Sequence, residues 1–226
     1  MVENTKFEGI LLAAGLSKRM NVWKPGIEIE GVPILIRALI PMVQACNRVV
    51  VVGGYNYDAL VSLVKDSTVL SKEQKDKIRL IENENYINGM FSSVKCGLQN
   101  ISQKSDGIFI ALGDMPFVLL STCQKLMGCF SEESQFEVFK PAIFEEGSEN
   151  KSGIKVGHPI LIKSTIVEHL LQHKDDETLK DVLQIFKHRI CMVNDKSINA
   201  DIDNLTDLQS AKSYMKNFKT YNKEIK

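Results

Sequence analysis

Three short runs constrain the fold of this chain more than anything else in it: FEGILL at 7–12, RVVVV at 48–52 and GIFIAL at 107–112. Past their first residues they are continuously apolar. A strand with one wet face alternates apolar and polar side chains, because successive side chains point to opposite faces. A strand apolar on both faces must be covered on both, as in a parallel sheet with helices above and below. Further strand candidates are 78–81 (IRLI), 137–142 (EVFKPA), 158–162 (HPILI) and 189–193 (RICMV). Helical segments are expected near 33–45, 55–66, 91–100, 118–130, 164–172, 177–187 and 205–218. Alternating strand and helix predicts right-handed crossovers and a mostly parallel α/β sheet. Residues 66–77 read as a solvated connection and 143–157 as a long polar loop.

The chain of 226 residues is 44% hydrophobic, which suits one domain over 1–226. Its core is expected over about 7–212, with a frayed tail at 216–226. Lys plus Arg and Asp plus Glu balance at 28 each, which argues against nucleic acid or an anionic membrane as partner. Any phosphate site must then be local. Apolar runs such as 49–52 fall far short of the roughly 20 residues of a membrane span. The start, MVENTKFEGI, has no apolar signal core, so a cytoplasmic location is expected. Five cysteines without a Cys-x-x-Cys spacing read as reduced thiols.

In open α/β sheets ligands bind beyond the carboxyl ends of the strands. After the first run come Leu12, Ala13, Ala14 and Gly15, then Ser17, Lys18, Arg19 and, further on, Lys24. Small residues let backbone N–H groups approach a phosphate, and the cations suit its charge. Neither the Walker spacing nor Gly-x-Gly-x-x-Gly is present, and a tight turn with solvated cations fits the same residues. GDMPF at 113–117 sets Asp114 just past an apolar strand. That carboxylate could cap a helix near Val118, or hold a Mg²⁺ opposite the phosphate loop. Asp201 and Asp203 in NADIDNLTDL offer a second carboxylate, one of them alternatively capping a helix from Leu205. His158 fits either a packed imidazole or a substrate contact, and His169, His173 and His188 read as surface or helix-end residues.

LLAAGLSKRM, Lys24, GIEIEGVPIL, INGMFSSVKCGL, GDMPF, VGHPIL and DIDNLTDL occur in the order seen in the MobA-like nucleotidyltransferases. The resemblance covers roughly residues 7–212 and is strongest to the molybdopterin cytidylyltransferase branch, where Leu-Ala-Ala-Gly is typical, as at Leu12–Gly15. It implies a Rossmann-like three-layer αβα sandwich of the nucleotide-diphospho-sugar transferase kind. It also implies transfer of CMP from CTP to molybdopterin, with Mg²⁺ or alternatively Mn²⁺ as cofactor and a client molybdoenzyme as a further partner. Carried onto this sequence, residues 12–19 would wrap the triphosphate, with Arg19, Lys24 and Asp114 catalytic. Asp114 and Asp203 would hold the metal; Gly89, Ser92 and Ser93 would lie along base and ribose; Lys155 and His158 would face the acceptor. Asn21, Val22 and Trp23 stand where the family usually has Gly after Arg-Met, and KPGIEIEG replaces a commoner wording. Other readings are a sugar-phosphate or isoprenoid-precursor acceptor, GTP as donor, or a non-catalytic carrier of the pterin cofactor.

Overall fold

The computed structural model describes residues 5–16, 22–145 and 153–224, without the side chains of 214 and 216–224. In chain order the elements are β1 (Phe7–Leu12), β2 (Glu28–Ile29), β3 (Val32–Pro33), α1 (Ile34–Ala45), β4 (Arg48–Gly53), α2 (Tyr57–Lys65), α3 (Lys72–Asp76), β5 (Ile78–Glu82), α4 (Met90–Leu98) and β6 (Gly107–Leu112). There follow α5 (Leu120–Glu132), β7 (Val138–Phe144), β8 (Ile154–Val156), β9 (Ile160–Lys163), α6 (Val167–Gln172), α7 (Leu179–Val182), β10 (His188–Met192) and α8 (Leu205–Glu224). The main sheet runs β10-β7-β9-β6-β1-β4-β5, with β8 on β7. β1 pairs in parallel with both β4 and β6, β4 with β5, and β7 with β10; β9 is antiparallel to β6 and β7. The mostly parallel α/β sheet expected from the apolar runs is present.

Both faces of that sheet are buried, and alternate residues of each central strand go to opposite sides. Leu11, Val49, Val51, Phe109 and Ala111 pack with α1, α2 and α5 through Leu35, Leu39, Met42, Leu60 and Leu126. Ile10, Leu12, Val50, Val52, Ile108 and Ile110 pack with α4, α6 and α7 through Phe91, Val94, Leu98, Leu170 and Val182. Fully burying one such aliphatic side chain stabilises by about 1.5–3 kcal/mol, so the central strands are the best-anchored part of the molecule.

Two expectations need correction. Residues 72–76 are helical: Ser71 accepts from the Gln74 N–H while Gln74 accepts from the Ser71 N–H, a capping box legible in the Ser-Lys-Glu-Gln wording. Of the loop expected at 143–157, residues 146–152 lie outside the described residues, and its two ends are paired strand: β7 continues to Phe144 and β8 runs back along it, Ala142 opposite Val156 and Phe144 opposite Ile154. An exposed two-stranded arm lacks the burial that gives a strand its apolar signature. GIEIEGVPI folds as the tight hairpin β2–β3, pinned by the Arg37 guanidinium on the Ile29 carbonyl. The backbone of α8 continues to Glu224, into the stretch 216–226 expected to fray. Among the described residues no helix is long and apolar enough to cross a membrane.

Candidate active site

Strand order places the site. The chain moves from β1 to β4 and β5 on one side, then returns to β6 on the other. The crossover through α1 covers one face of the sheet and that through α4 the other. A crevice therefore opens at the carboxyl ends of β1 and β6, where helices diverge to opposite faces. The two ends are locked together: Gly113 N–H donates to the Leu12 carbonyl at 2.8 Å, and Ala13 N–H to the Val52 carbonyl at 2.8 Å. A Cβ on Gly113 would lie 2.9 Å from the Leu12 oxygen, so this approach requires glycine.

Three segments far apart in sequence converge on that crevice. Lys24 opens a single 3₁₀ turn (Lys24–Gly26) ahead of β2, with Pro25 buried beneath it. Asp114 sits in the turn after β6. Asp203 arrives on the strand-like stretch before α8, which is tied down by the Ile202 N–H donating to the Asp114 carbonyl at 3.0 Å. The Lys24 ammonium then donates to Asp114 Oδ2 at 2.9 Å and to Asp203 Oδ1 at 3.1 Å. Burial disfavours the ammonium, but the hydrogen bonds and charge of Asp114, then of Asp203, outweigh it and raise its pKa. Lys24 therefore remains charged across the neutral range.

Asp203 is available for this because α8 is capped by other residues. Asn204 Oδ1 accepts from Asp207 N–H, while Asp207 Oδ2 accepts from the N–H groups of Asp203 and Asn204. The expected role of Asp201 or Asp203 as the cap belongs to Asn204 instead. Among the described residues two carboxylates face one ammonium, and the side chains of Asp114 and Asp203 are still 29% and 32% exposed. Among the described residues no three His, Cys, Asp or Glu side chains converge on one point. Two hard oxygen donors beside open space fit a Mg²⁺ or Mn²⁺ completed by substrate phosphates and water, not an all-protein cage.

Residues 9–191 match the model of the MobA-like NTP transferase domain. The chain belongs to that family. It is a nucleotidyltransferase, and its sheet with helices on both faces is the nucleotide-diphospho-sugar transferase fold. The molybdenum cofactor cytidylyltransferase of Escherichia coli K12 is 25% identical over 203 residues, 90% of this chain and 94% of that protein. A 4-diphosphocytidyl-2C-methyl-D-erythritol synthase from Anaerococcus prevotii superposes with a TM-score of 0.73 at 14% identity, covering 95% of this chain and 98% of that one. Rv0371c of Mycobacterium tuberculosis, solved as a complex with manganese, superposes with a TM-score of 0.67 at 18% identity, covering 92% and 99%.

The remaining candidates of this MobA-like transferase are placed unevenly. Ala13 and Ala14 are buried and Gly15 is exposed with open space around it. Ser17, Lys18 and Arg19 lie outside the described residues. Gly89 caps the start of α4, but the hydroxyls of Ser92 and Ser93 turn inward: both accept from Asn83 Nδ2, at 2.9 and 3.0 Å. Ser92 also reaches the carbonyls of Asn85 and Gly89. Asn83, buried and bonded through both ends of its amide, is the residue that sequence reasoning missed. Its position directly after β5, at the same edge of the sheet, was the available signal.

His158 sits against a small apolar cavity lined by Ala38, Met42, Ala111 and Met115, and its buried Nδ1 has no hydrogen-bond partner among the described residues. Burial pushes its pKa below the ordinary imidazole value, against the opposing pull of the Ile110 backbone and of the charges of Asp114 and Asp201. It is thus a packed, neutral imidazole close to the carboxylates. Gly157 before it is forced, since a Cβ there would fall 2.0 Å from the Ile198 carbonyl oxygen. Lys155 projects from β8 into solvent and makes a loose ion pair with Glu145 at 3.6 Å.

Proposed function

We propose that this transferase moves CMP from CTP to the phosphate of molybdopterin in the cytoplasm, as one domain over 1–226 with its working core in 7–212. The observation that carries the reading is the Lys24–Asp114–Asp203 cluster at the β1/β6 crevice of a chain whose near full-length relative is a molybdenum cofactor cytidylyltransferase. An oxygen of the acceptor phosphate attacks the α-phosphorus of CTP. A new P–O bond forms, the bond to the bridging oxygen breaks, and its electron pair leaves on pyrophosphate. The attacking oxygen is already ionised, so no general base is needed, and a neutral, packed His158 is consistent with that.

Asp114 and Asp203 would hold Mg²⁺ or Mn²⁺, which when bound supplies charge neutralisation and alignment of the phosphate oxygens. The Lys24 ammonium, held beside both carboxylates, meets charge developing on the leaving group. The stretch Leu12–Gly15, continued by Ser17, Lys18 and Arg19, wraps the triphosphate. Gly89 and the start of α4 face base and ribose, with Ser92 and Ser93 acting by fixing that turn on Asn83. Lys155 and His158 lie on the acceptor side, and a client molybdoenzyme receives the product.

The test is pyrophosphate release from each of CTP, GTP, ATP and UTP with Mg²⁺ and molybdopterin. Release with CTP is expected. Silence with molybdopterin but turnover with a sugar phosphate or an isoprenoid-precursor phosphate would transfer the chemistry to that acceptor.

A further inference from the structure

Away from the crevice, at the end of α6, two imidazoles meet. His169 and His173 are four residues apart, and their Nε2 atoms stand 3.2 Å from one another. Each ring is held independently. His169 is set edge-on against Phe186, ring centroids 5.4 Å apart at 89°. His173 Nδ1 lies 2.9 Å from Glu177 Oε2, while the other Glu177 oxygen accepts from the Lys174 N–H at 2.7 Å. In the neutral ring a proton on Nδ1, donated to that carboxylate, leaves His173 Nε2 as the acceptor facing His169. A carboxylate behind the far nitrogen of an imidazole is the arrangement that orients histidines bound to metals.

The spacing has a specific meaning. Two nitrogens bound side by side to one ion at about 2.0–2.1 Å stand about 2.9 Å apart at a right angle and about 3.3–3.4 Å apart at the tetrahedral angle. The observed separation of 3.2 Å falls between these two edges. The geometry points to a two-histidine site for a late first-row divalent cation (Zn²⁺, Ni²⁺ or Cu²⁺), with His169 and His173 as ligands, Glu177 behind His173, and water completing the shell. When the ion binds, the proton on His169 Nε2 moves to its Nδ1, so two neutral imidazoles donate and the net charge of the ligands is unchanged. Imidazole donors favour these ions over Mg²⁺, which separates this site from the carboxylate pair. The other histidines do not compete: His188 Nε2 is bonded to the Leu183 carbonyl and His158 is packed under the sheet edge.

The place also matters mechanically. His173 ends α6 and begins the turn through Asp175, and Lys95 of α4 grips that turn through the His173 carbonyl at 2.6 Å and Asp175 Oδ1 at 2.8 Å. An ion on the histidine pair clips the last turn of α6 to a segment packed on α4.

The experiment is calorimetric titration of the full chain with Ni²⁺ in excess Mg²⁺, with thermal melts alongside. One equivalent of Ni²⁺ should bind and raise Tm. His169→Ala and His173→Ala should each lose at least about tenfold in affinity, Glu177→Gln about tenfold, and His188→Ala should match the wild type. Retained circular dichroism in the variants separates lost binding from lost fold. No heat with the wild type would mean that the pair only shares a proton, and Ni²⁺ binding unchanged in both histidine variants would place the ion elsewhere; either result overturns the site.

Discussion

Two polar clusters lie at the same edge of the sheet and work in opposite ways. Lys24, Asp114 and Asp203 are charged and part-exposed. Asn83, Ser92 and Ser93 are neutral and buried, and each is paired. A buried polar network with every partner present rigidifies; a part-solvated charged one is open to a ligand. Solvent access, more than residue type, separates a reacting group from a supporting one here.

That contrast can be broken from either side. The largest effect is expected from Asp114→Asn, which keeps shape but removes one carboxylate. Metal-dependent turnover should fall about a hundredfold or more, on the order of 3 kcal/mol, with Tm nearly unchanged. Near-normal pyrophosphate release would remove Asp114 from the reacting cluster.

Asn83→Ala should do the reverse. It orphans the Asn85 N–H and both serine contacts, costing about 1–3 kcal/mol in urea unfolding while kcat falls little in the folded fraction. Lost turnover at unchanged stability would instead move Asn83 to the substrate.

A smaller effect concerns the donor. Ala14 is buried beside the first loop, and its methyl narrows the space there, so CTP should be used in preference to GTP. Ala14→Gly should relax that preference by about tenfold in kcat/KM, a methyl-sized effect. Equal kcat/KM values for the two nucleotides in the wild type would defeat the idea.

His158 supplies a pH test. Its folded pKa is lowered, so the unfolded chain binds the proton more readily than the native one. Its contribution is complete above the unfolded imidazole value, about 6.5, and is lost as pH falls below that. Melting points should decline on acidification from neutral pH, and less so in His158→Phe; parallel declines would assign the effect to other groups.

The smallest effect is expected at Lys155. Its ion pair with Glu145 is exposed and loose, so Lys155→Ala should change stability by less than about 0.5 kcal/mol. Any rise in acceptor KM in that variant then reports on binding alone.

Much of this was legible in the sequence for a physical reason. Val49–Val52 and Ile108–Leu112 are apolar on both sides, which only a doubly covered sheet tolerates, and the residues after such strands gather at one edge. Asp114 and Lys24 could be proposed from that alone. What the sequence could not decide was which distant groups meet. Lys24 reaches across 90 and 179 positions to its two carboxylates. Those contacts exist because β6 returns beside β1 and because Asn204 caps α8, leaving Asp203 turned toward the crevice. The inward turn of Ser92 and Ser93 depends on Asn83 being buried beneath them. His169 and His173 were read as surface or helix-end residues; how their rings meet is set by Phe186, brought in by the fold, and by Glu177 in the following turn. Local pattern is governed by which faces must be dry. Site geometry is governed by long-range packing, which no local pattern encodes.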